Sequence, residues 1–267
     1  MKFTADHDLH IHTHLSLCSG DPAQNVSAIC EYAEKQGLSR ICITDHFWDS
    51  KVPGASDWYK IQDMEHISAS LPIQKLCGID VLFGCETDMD RFFTVGVDKS
   101  TFEDFDFVLI PTTHLHMTGF TLSEEDAQSL DRRAELWVER FDALLKCDLP
   151  FEKVGIAHLT CSLTAPASRE DYIAVLNMLP EAEMERLFSR AAELGVGIEL
   201  NAYDMRYAPE EEEAVLRPFK IAKAAGCKFF CGSDAHHPES LYSAKAVFER
   251  VIDVLGLCES DKFIPKK

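Results

Sequence analysis

The chain has 267 residues, enough for one large domain or two small ones, and its 46% hydrophobic and 27% charged content is that of a globular protein with ample core. Lys plus Arg number 26 against 45 Asp plus Glu, and the net charge of −19 argues against a broad surface for nucleic-acid phosphates. No apolar run approaches the roughly 18–20 residues that cross a bilayer, and the first residues lack a signal peptide's apolar stretch, so a cytoplasmic protein without a membrane partner is expected.

Short apolar runs recur along the chain, at 8–12, 40–44, 81–85, 107–111, 154–158, 197–201 and 228–232. Each reads as a strand, and segments of helical periodicity lie between them. Val26, Ile29, Cys30 and Ala33 share a helical face that Gly37 ends. Ile61, Met64 and Ile67 predict a second helix, and Ser123 with Asp126 predicts a capping box ahead of a third carrying Leu130, Trp137, Phe141 and Leu144. Met184, Leu187, Phe188 and Ala191 precede Gly195, and Val215, Phe219 and Ala222 precede Gly226. Val247, Val251 and Val254 predict the last stripe, while 87–106 and the loop after Thr160 give no clear pattern. No linker or repeat divides the chain, so a single domain over 1–267 is expected. The ten cysteines form no CxxC pair and are expected to be mostly buried thiols rather than a disulfide scaffold.

Strand–helix alternation favours a parallel sheet, either a closed barrel or a doubly wound sheet. Nine of the eleven histidines fall at or just past a strand's C-terminal end: His10, His12, His14, His46, His114, His116, His158, His236 and His237. Asp45, Glu86, Glu199 and Asp234 share that placement. In a parallel α/β fold these ends converge on one face, and contributions from all seven strands make a barrel the simpler geometry. Strict alternation in 8–12 would put Asp8, His10 and His12 on one side and Leu9 and Ile11 on the other. His10 and His12, one strand step apart, can then chelate one ion. His46 reads as a ligand with Asp45 behind it, and Glu86 as a carboxylate able to bridge cations. His114 and His158 repeat the design on the fourth and fifth strands, and the seventh ends in the Asp234/His236 pair. His14 and His116 read as bystanders. Imidazoles with carboxylates suit zinc, manganese or iron, and there are more ligands than one tetrahedral ion needs, so two or three ions are expected.

Taken together, His10 and His12 (HxH), Thr44-Asp45-His46 (TDH), Glu86, His114, His158 and the Ser233–His236 stretch (SDAH) resemble the PHP family, the polymerase and histidinol phosphatase superfamily. The resemblance spans about 8–236. It implies a distorted (β/α)7 barrel and hydrolysis of a phosphoester by a metal-bound hydroxide. By the same resemblance His10, His12, Glu86 and Asp234 hold one ion, Glu86 bridges to a second on His114 and His158, and His46 with His236 hold a third. The family's further ligand shortly after HxH is matched here by Cys18 in spacing, or by Asp21. Glu199-Leu200-Asn201 followed by Arg206 is similar to a stretch of histidinol-phosphate phosphatases, which implies phosphate binding by Arg206 with Asn201 beside it; a guanidinium suits phosphate independently.

The leading expectation is therefore a phosphatase acting on a small phosphomonoester, histidinol phosphate first, with Asp234 or His236 as the acid for the leaving group. The alternatives are a phosphodiesterase or exonuclease on nucleotides or short oligomers, and a non-catalytic metal-stabilised binding module. Oligomeric state is not legible in the sequence.

Overall fold

Parallel pairing of seven strands in chain order dominates the architecture, which is described from a computed structural model covering residues 1–73, 76 and 78–266. The strands are β1 (His7–Ile11), β2 (Arg40–Ile43), β4 (Asp80–Thr87), β5 (Phe107–Pro111), β6 (Val154–Ala157), β7 (Gly197–Asn201) and β8 (Lys228–Gly232), hydrogen-bonded in that order. The two-residue β3 (His46–Phe47) runs beside the end of β4. Between β8 and β1 the sheet nearly closes: the Asp234 N–H donates to the His10 carbonyl (2.8 Å) and the His12 N–H to that of Ala235 (3.2 Å). The result is a distorted (β/α)7 barrel.

The outer layer comprises α1 (Val26–Gln36), the one-turn α2 (Met64–Ile67), α3 (Leu130–Leu144), α4 (Arg169–Met178), α5 (Glu181–Leu194), α6 (Glu212–Ala224) and α7 (Pro238–Leu255). Gly37 ends α1 in the left-handed conformation (φ 64°), as a helix C-terminus favours. Helix faces pack on the barrel through Trp137, Phe141 and Phe188, with edge-to-face rings 5.3–5.6 Å apart. Inside, Leu9, Cys42, Leu82, Phe107, Leu109, Ala157, Phe230 and Phe263 fill the barrel below its mouth. Gly155 faces this filling, where a Cβ would lie 2.5–2.6 Å from the Phe107 and Phe230 rings. Thus the barrel is packed shut at one end, and only the C-terminal ends of the strands are open for chemistry.

Five local expectations are corrected. β1 does not alternate strictly, because its register with β2 shifts between Asp8 and Ile11. Leu9 points into the barrel, Ile11 packs against α1 and α7, and Asp8 accepts the Tyr32 hydroxyl of α1 (3.1 Å). His10 and His12 still face the mouth, but Asp8 does not. Ile61 is exposed and precedes a single helical turn rather than a crossover helix. The Ser123 hydroxyl accepts from the Asp126 N–H (3.0 Å) at the start of a 3-10 turn without forming a capping box, and Ser129 caps α3. In α7 the buried stripe is Leu241, Ala244, Phe248, Val251, Ile252 and Leu255, leaving Val254 exposed. The unclear loop after Thr160 contains α4.

The nine described cysteines are free, six of them buried, with Cys18 and Cys258 exposed; Cys77 lies outside the described residues. No described helix is long and apolar enough to cross a membrane.

Candidate metal centre

At the open end, β1, β3, β4 and the residues following β1, β5, β6 and β8 bring eight sequence-selected side chains together: His10, His12, His46, Glu86, His114, His158, Asp234 and His236. Glu86, on the last turn of β4, is central. Its Oε2 lies 3.4 Å from His10 Nε2, 3.3 Å from His12 Nε2 and 3.2 Å from His46 Nδ1, and its Oε1 lies 3.5 Å from His158 Nε2. Asp234 faces the same atoms, 3.3–3.5 Å from His10, His12 and His158. Four groups of ligand atoms lie within 4.8 Å of one another: His10/His12/Asp234, His10/Glu86/His158, His12/His46/His236 and His114/His158/Cys161.

Four of the six imidazoles are turned inward by a partner behind them. His10 Nδ1 donates to Glu199 (2.6 Å), His114 Nδ1 to Asp88 (3.0 Å) and His158 Nδ1 to Asp204 (3.1 Å). His12 Nδ1 donates to the Ser16 hydroxyl (2.9 Å), which donates to Asp45 (2.7 Å). These partners fix the tautomer and leave Nε2 free to bind a cation. Asp45 therefore stands behind His12 through Ser16. Gly232 permits the tightest of these pairings, since a Cβ there would sit 2.0 Å from Glu199 Oε1.

The fit to cations rests on atoms left without partners. Glu86 Oε1 and Oε2, His46 Nδ1 and Asp234 Oδ1 are buried with no hydrogen-bond partner among the described residues, and all converge on one spot. Buried carboxylate oxygens are costly unless hydrogen-bonded or bound to a cation. His10 Nε2 and His12 Nε2 face each other at 3.0 Å, an arrangement suited to a shared ion. His158 and Asp234 also adopt positive φ (58° and 53°), rare for residues other than glycine and costing about 1–3 kcal/mol each.

Charge follows the geometry. Burial opposes protonation of His10 and His158, but the carboxylates of Glu199, Glu86, Asp234 and Asp204 outweigh it and hold both imidazoles well above their usual pKa. Burial pushes His46 well down, and burial with the His12 charge takes His236 down to about 4. Burial would raise Glu86 and Asp234, yet the surrounding imidazoles keep both ionised. Since a metal binds only unprotonated imidazole, cation binding at pH 7 is expected to expel a proton from each of His10 and His158. Because both pKa values lie well above 6.5, metal affinity should keep rising with pH past 6.5. Titration calorimetry in buffers of different ionisation enthalpy measures this, and binding with no proton release would refute it.

Several selected residues lie elsewhere. Arg206 does not line the cavity over the metal centre; it is exposed and donates to the Ser243 hydroxyl (2.6 Å). The cause is the turn after β7, where Asn201 Oδ1 accepts from the N–H groups of Tyr203 and Asp204 (2.8 and 3.1 Å), aiming Asp204 inward at His158 and sending Arg206 outward. Asn201 uses its Oδ1 in that turn, places its Nδ2 3.5 Å from His158 Nδ1 behind the cluster, and does not line the cavity. Asp21 pairs with His237 (2.9 Å) away from the centre. Cys18 lines the cavity but joins none of the four ligand groups among the described residues.

The sequence reading missed Cys161, which completes a group with His114 and His158, and the supporting Asp88, Asp204 and Ser16. Asp204→Asn removes the charge behind His158 while keeping its shape. It is expected to weaken metal binding or activity about 10–100-fold. Metal titration of the variant checks this, and unchanged affinity would deny Asp204 that role.

A nearly closed parallel barrel with convergent imidazoles and carboxylates at its mouth defines a barrel protein with a candidate metal centre. The PHP domain family model matches residues 8–203, and the chain belongs to that family. A probable phosphatase of Thermoanaerobacter sp. (strain X514) is 24% identical over 235 residues, covering 86% of this chain and 78% of that protein. One of Caldicellulosiruptor bescii is 22% identical over 235 residues, covering 86% and 79%. The crystal structure of histidinol phosphate phosphatase from Lactococcus lactis subsp. lactis, complexed with zinc, L-histidinol and phosphate, shares the fold. Its TM-score is 0.59 at 17% identity, with 97% of this chain and 99% of that chain covered.

Proposed function

We infer that the chain is a metal-dependent phosphoesterase that hydrolyses a small phosphomonoester. The observation that carries this reading is the convergence of unpartnered buried ligand atoms from Glu86, His46 and Asp234 among inward-turned imidazoles. Family membership and the names of the relatives agree with it.

His10, His12, Glu86 and Asp234 would hold one ion; Glu86, His114 and His158 a second, with Cys161 adjacent; His46 and His236 a third. Zinc, manganese and iron all accept such donors, and the neighbouring thiol favours zinc. Bound ions of this kind lower the pKa of a water towards 7 and neutralise charge on phosphate oxygens. The chain's own residues set the stage. Asp234 is kept ionised and His236 unprotonated, the forms that hold a cation rather than donate a proton. Glu199, Asp204, Asp88 and Asp45 keep the rings aimed.

The test is phosphate release from L-histidinol phosphate, the first compound to assay, by metal-loaded protein with Asp234→Asn as control. Metal-dependent release that the variant loses, together with bound metal, is the expected result. Turnover by Asp234→Asn with full metal content would overturn the ligand assignment.

A further inference from the structure

The cavity above the centre, about 490 Å³, has a floor and a wall of different chemistry. The floor is the ligand cluster. The wall comes from loops: Trp58 and Tyr59 after β3, Met117 after β5 and Leu163 after β6 give it an apolar and aromatic surface, with Cys18 after β1 and His116 after β5 as its polar members. The Trp58 ring meets His46 edge-on with centroids 5.0 Å apart, and its edge packs on Tyr59 at 4.7 Å. Tyr59 is fully buried, with its ring against Trp58 and its hydroxyl directed to Asp88 (3.4 Å), so it supports the Trp58 ring from behind. Among the described residues no Lys or Arg lines this cavity, and its carboxylates are Glu86 and Asp234, both turned to the cluster.

We propose that the wall formed by Trp58, backed by Tyr59, with Met117 and Leu163 favours phosphomonoesters whose leaving alcohol is flat or apolar over those whose alcohol carries a positive charge, so that L-histidinol phosphate, whose alcohol bears an ammonium, is hydrolysed less well than benzyl phosphate. This rests on the phosphoesterase reading. An ester seated with its phosphate on the floor projects its organic group onto this wall, where burial of apolar and aromatic surface is favourable. An ammonium in the same place would meet divalent cations below it and no carboxylate on the wall to offset them. A sugar or polyol would lose hydrogen bonds to water with only His116 and Cys18 on the wall to replace them.

The experiment separates binding from turnover. Zinc-loaded protein is titrated calorimetrically with benzylphosphonate, methylphosphonate and 2-aminoethylphosphonate, which cannot be hydrolysed. Benzylphosphonate is expected to bind about tenfold tighter than the amine. Trp58→Ala should remove about fivefold to tenfold of the benzyl affinity while leaving methylphosphonate unchanged, with Trp58→Phe recovering most of the loss. Leu163→Ala tests the opposite wall should Trp58→Ala fail to fold. Equal affinities, preference for the amine, or equal weakening of all three ligands by Trp58→Ala would overturn the proposal. In parallel, hydrolysis of benzyl phosphate is compared with that of glycerol 3-phosphate and phosphoethanolamine, alkyl esters chosen so that leaving-group chemistry changes little. Selective phosphonate binding with no hydrolysis of any ester would refute the phosphoesterase reading and leave the wall's selectivity standing.

Discussion

Glu86→Gln is expected to cost the protein metal at more than one position and to lower turnover about a thousandfold, the equivalent of several kcal/mol of charge stabilisation. The carboxylate is fully buried, and both its oxygens lack hydrogen-bond partners among the described residues. Imidazoles from three strand ends surround it, His10 on β1 with His12 following it, His46 on β3 and His158 after β6, at 3.2–3.5 Å. A carboxamide keeps the shape but offers one acceptor oxygen instead of two and turns an NH₂ towards positions a cation would take. His46→Ala should be milder in metal content, since Glu86 reaches four imidazoles whereas His46 joins one ligand group, with His12 and His236. Metal per chain by elemental analysis, with phosphate release, distinguishes the two variants. Full metal content and normal turnover in Glu86→Gln would remove Glu86 from the centre.

The strands and the ligand cluster were legible for one physical reason. Parallel strands all present their C-terminal ends to the same side, so a histidine or acid at such an end has its destination fixed by topology before any loop is known. That logic places His46, Glu86, His158 and Asp234 together although they are scattered over the chain. It says nothing about residues a few positions further on, where a turn sets direction. Arg206 and Asp204 lie two residues apart after β7, yet the Asn201 turn sends one to the surface and the other to His158. Glu199 and Asp45 stand at strand ends and were legible as acids, but the pairings were not: they run across 26 residues for Asp88 with His114, 46 for Asp204 with His158 and 189 for Glu199 with His10. Sequence spacing carries no trace of such pairings. The bulge in β1 was hidden too, because alternation assumes the regular pleat that a register shift breaks.

Arg140 makes the dependence of the centre on its surroundings testable, and Arg140→Met is expected to have the largest effect on stability. The side chain is fully buried in α3. Its guanidinium donates to the carbonyls of Met89 (2.7 Å), Thr112 (2.8 Å), Asp90 and Thr121 (both 3.1 Å), and to Asp88 Oδ1 (3.4 Å). These groups belong to the loop that follows Glu86 at the end of β4 and to the loop after β5, which carries His114 into the mouth. Methionine preserves much of the apolar stem but removes the guanidinium from the carbonyls of Met89, Thr112 and Thr121, while Asp90 keeps the Phe93 N–H and Asp88 Oδ1 keeps the Met89 N–H. Removing one partner of a buried charged network costs about 3–5 kcal/mol, which for a chain of this size corresponds to a Tm lower by roughly 10 °C. Asp88, freed from Arg140, should also hold His114 less firmly, weakening the cation bound there about tenfold. Melting curves with chelator and with excess zinc separate the two effects. The chelated protein reports the lost network alone, whereas the added stabilisation by zinc follows from its affinity and should shrink in the variant. An unchanged Tm in chelator would mean that the loops stand without Arg140. A lowered Tm with undiminished zinc stabilisation would mean that Asp88 keeps His114 aligned by itself, assigning Arg140 to the fold and not to the metal centre.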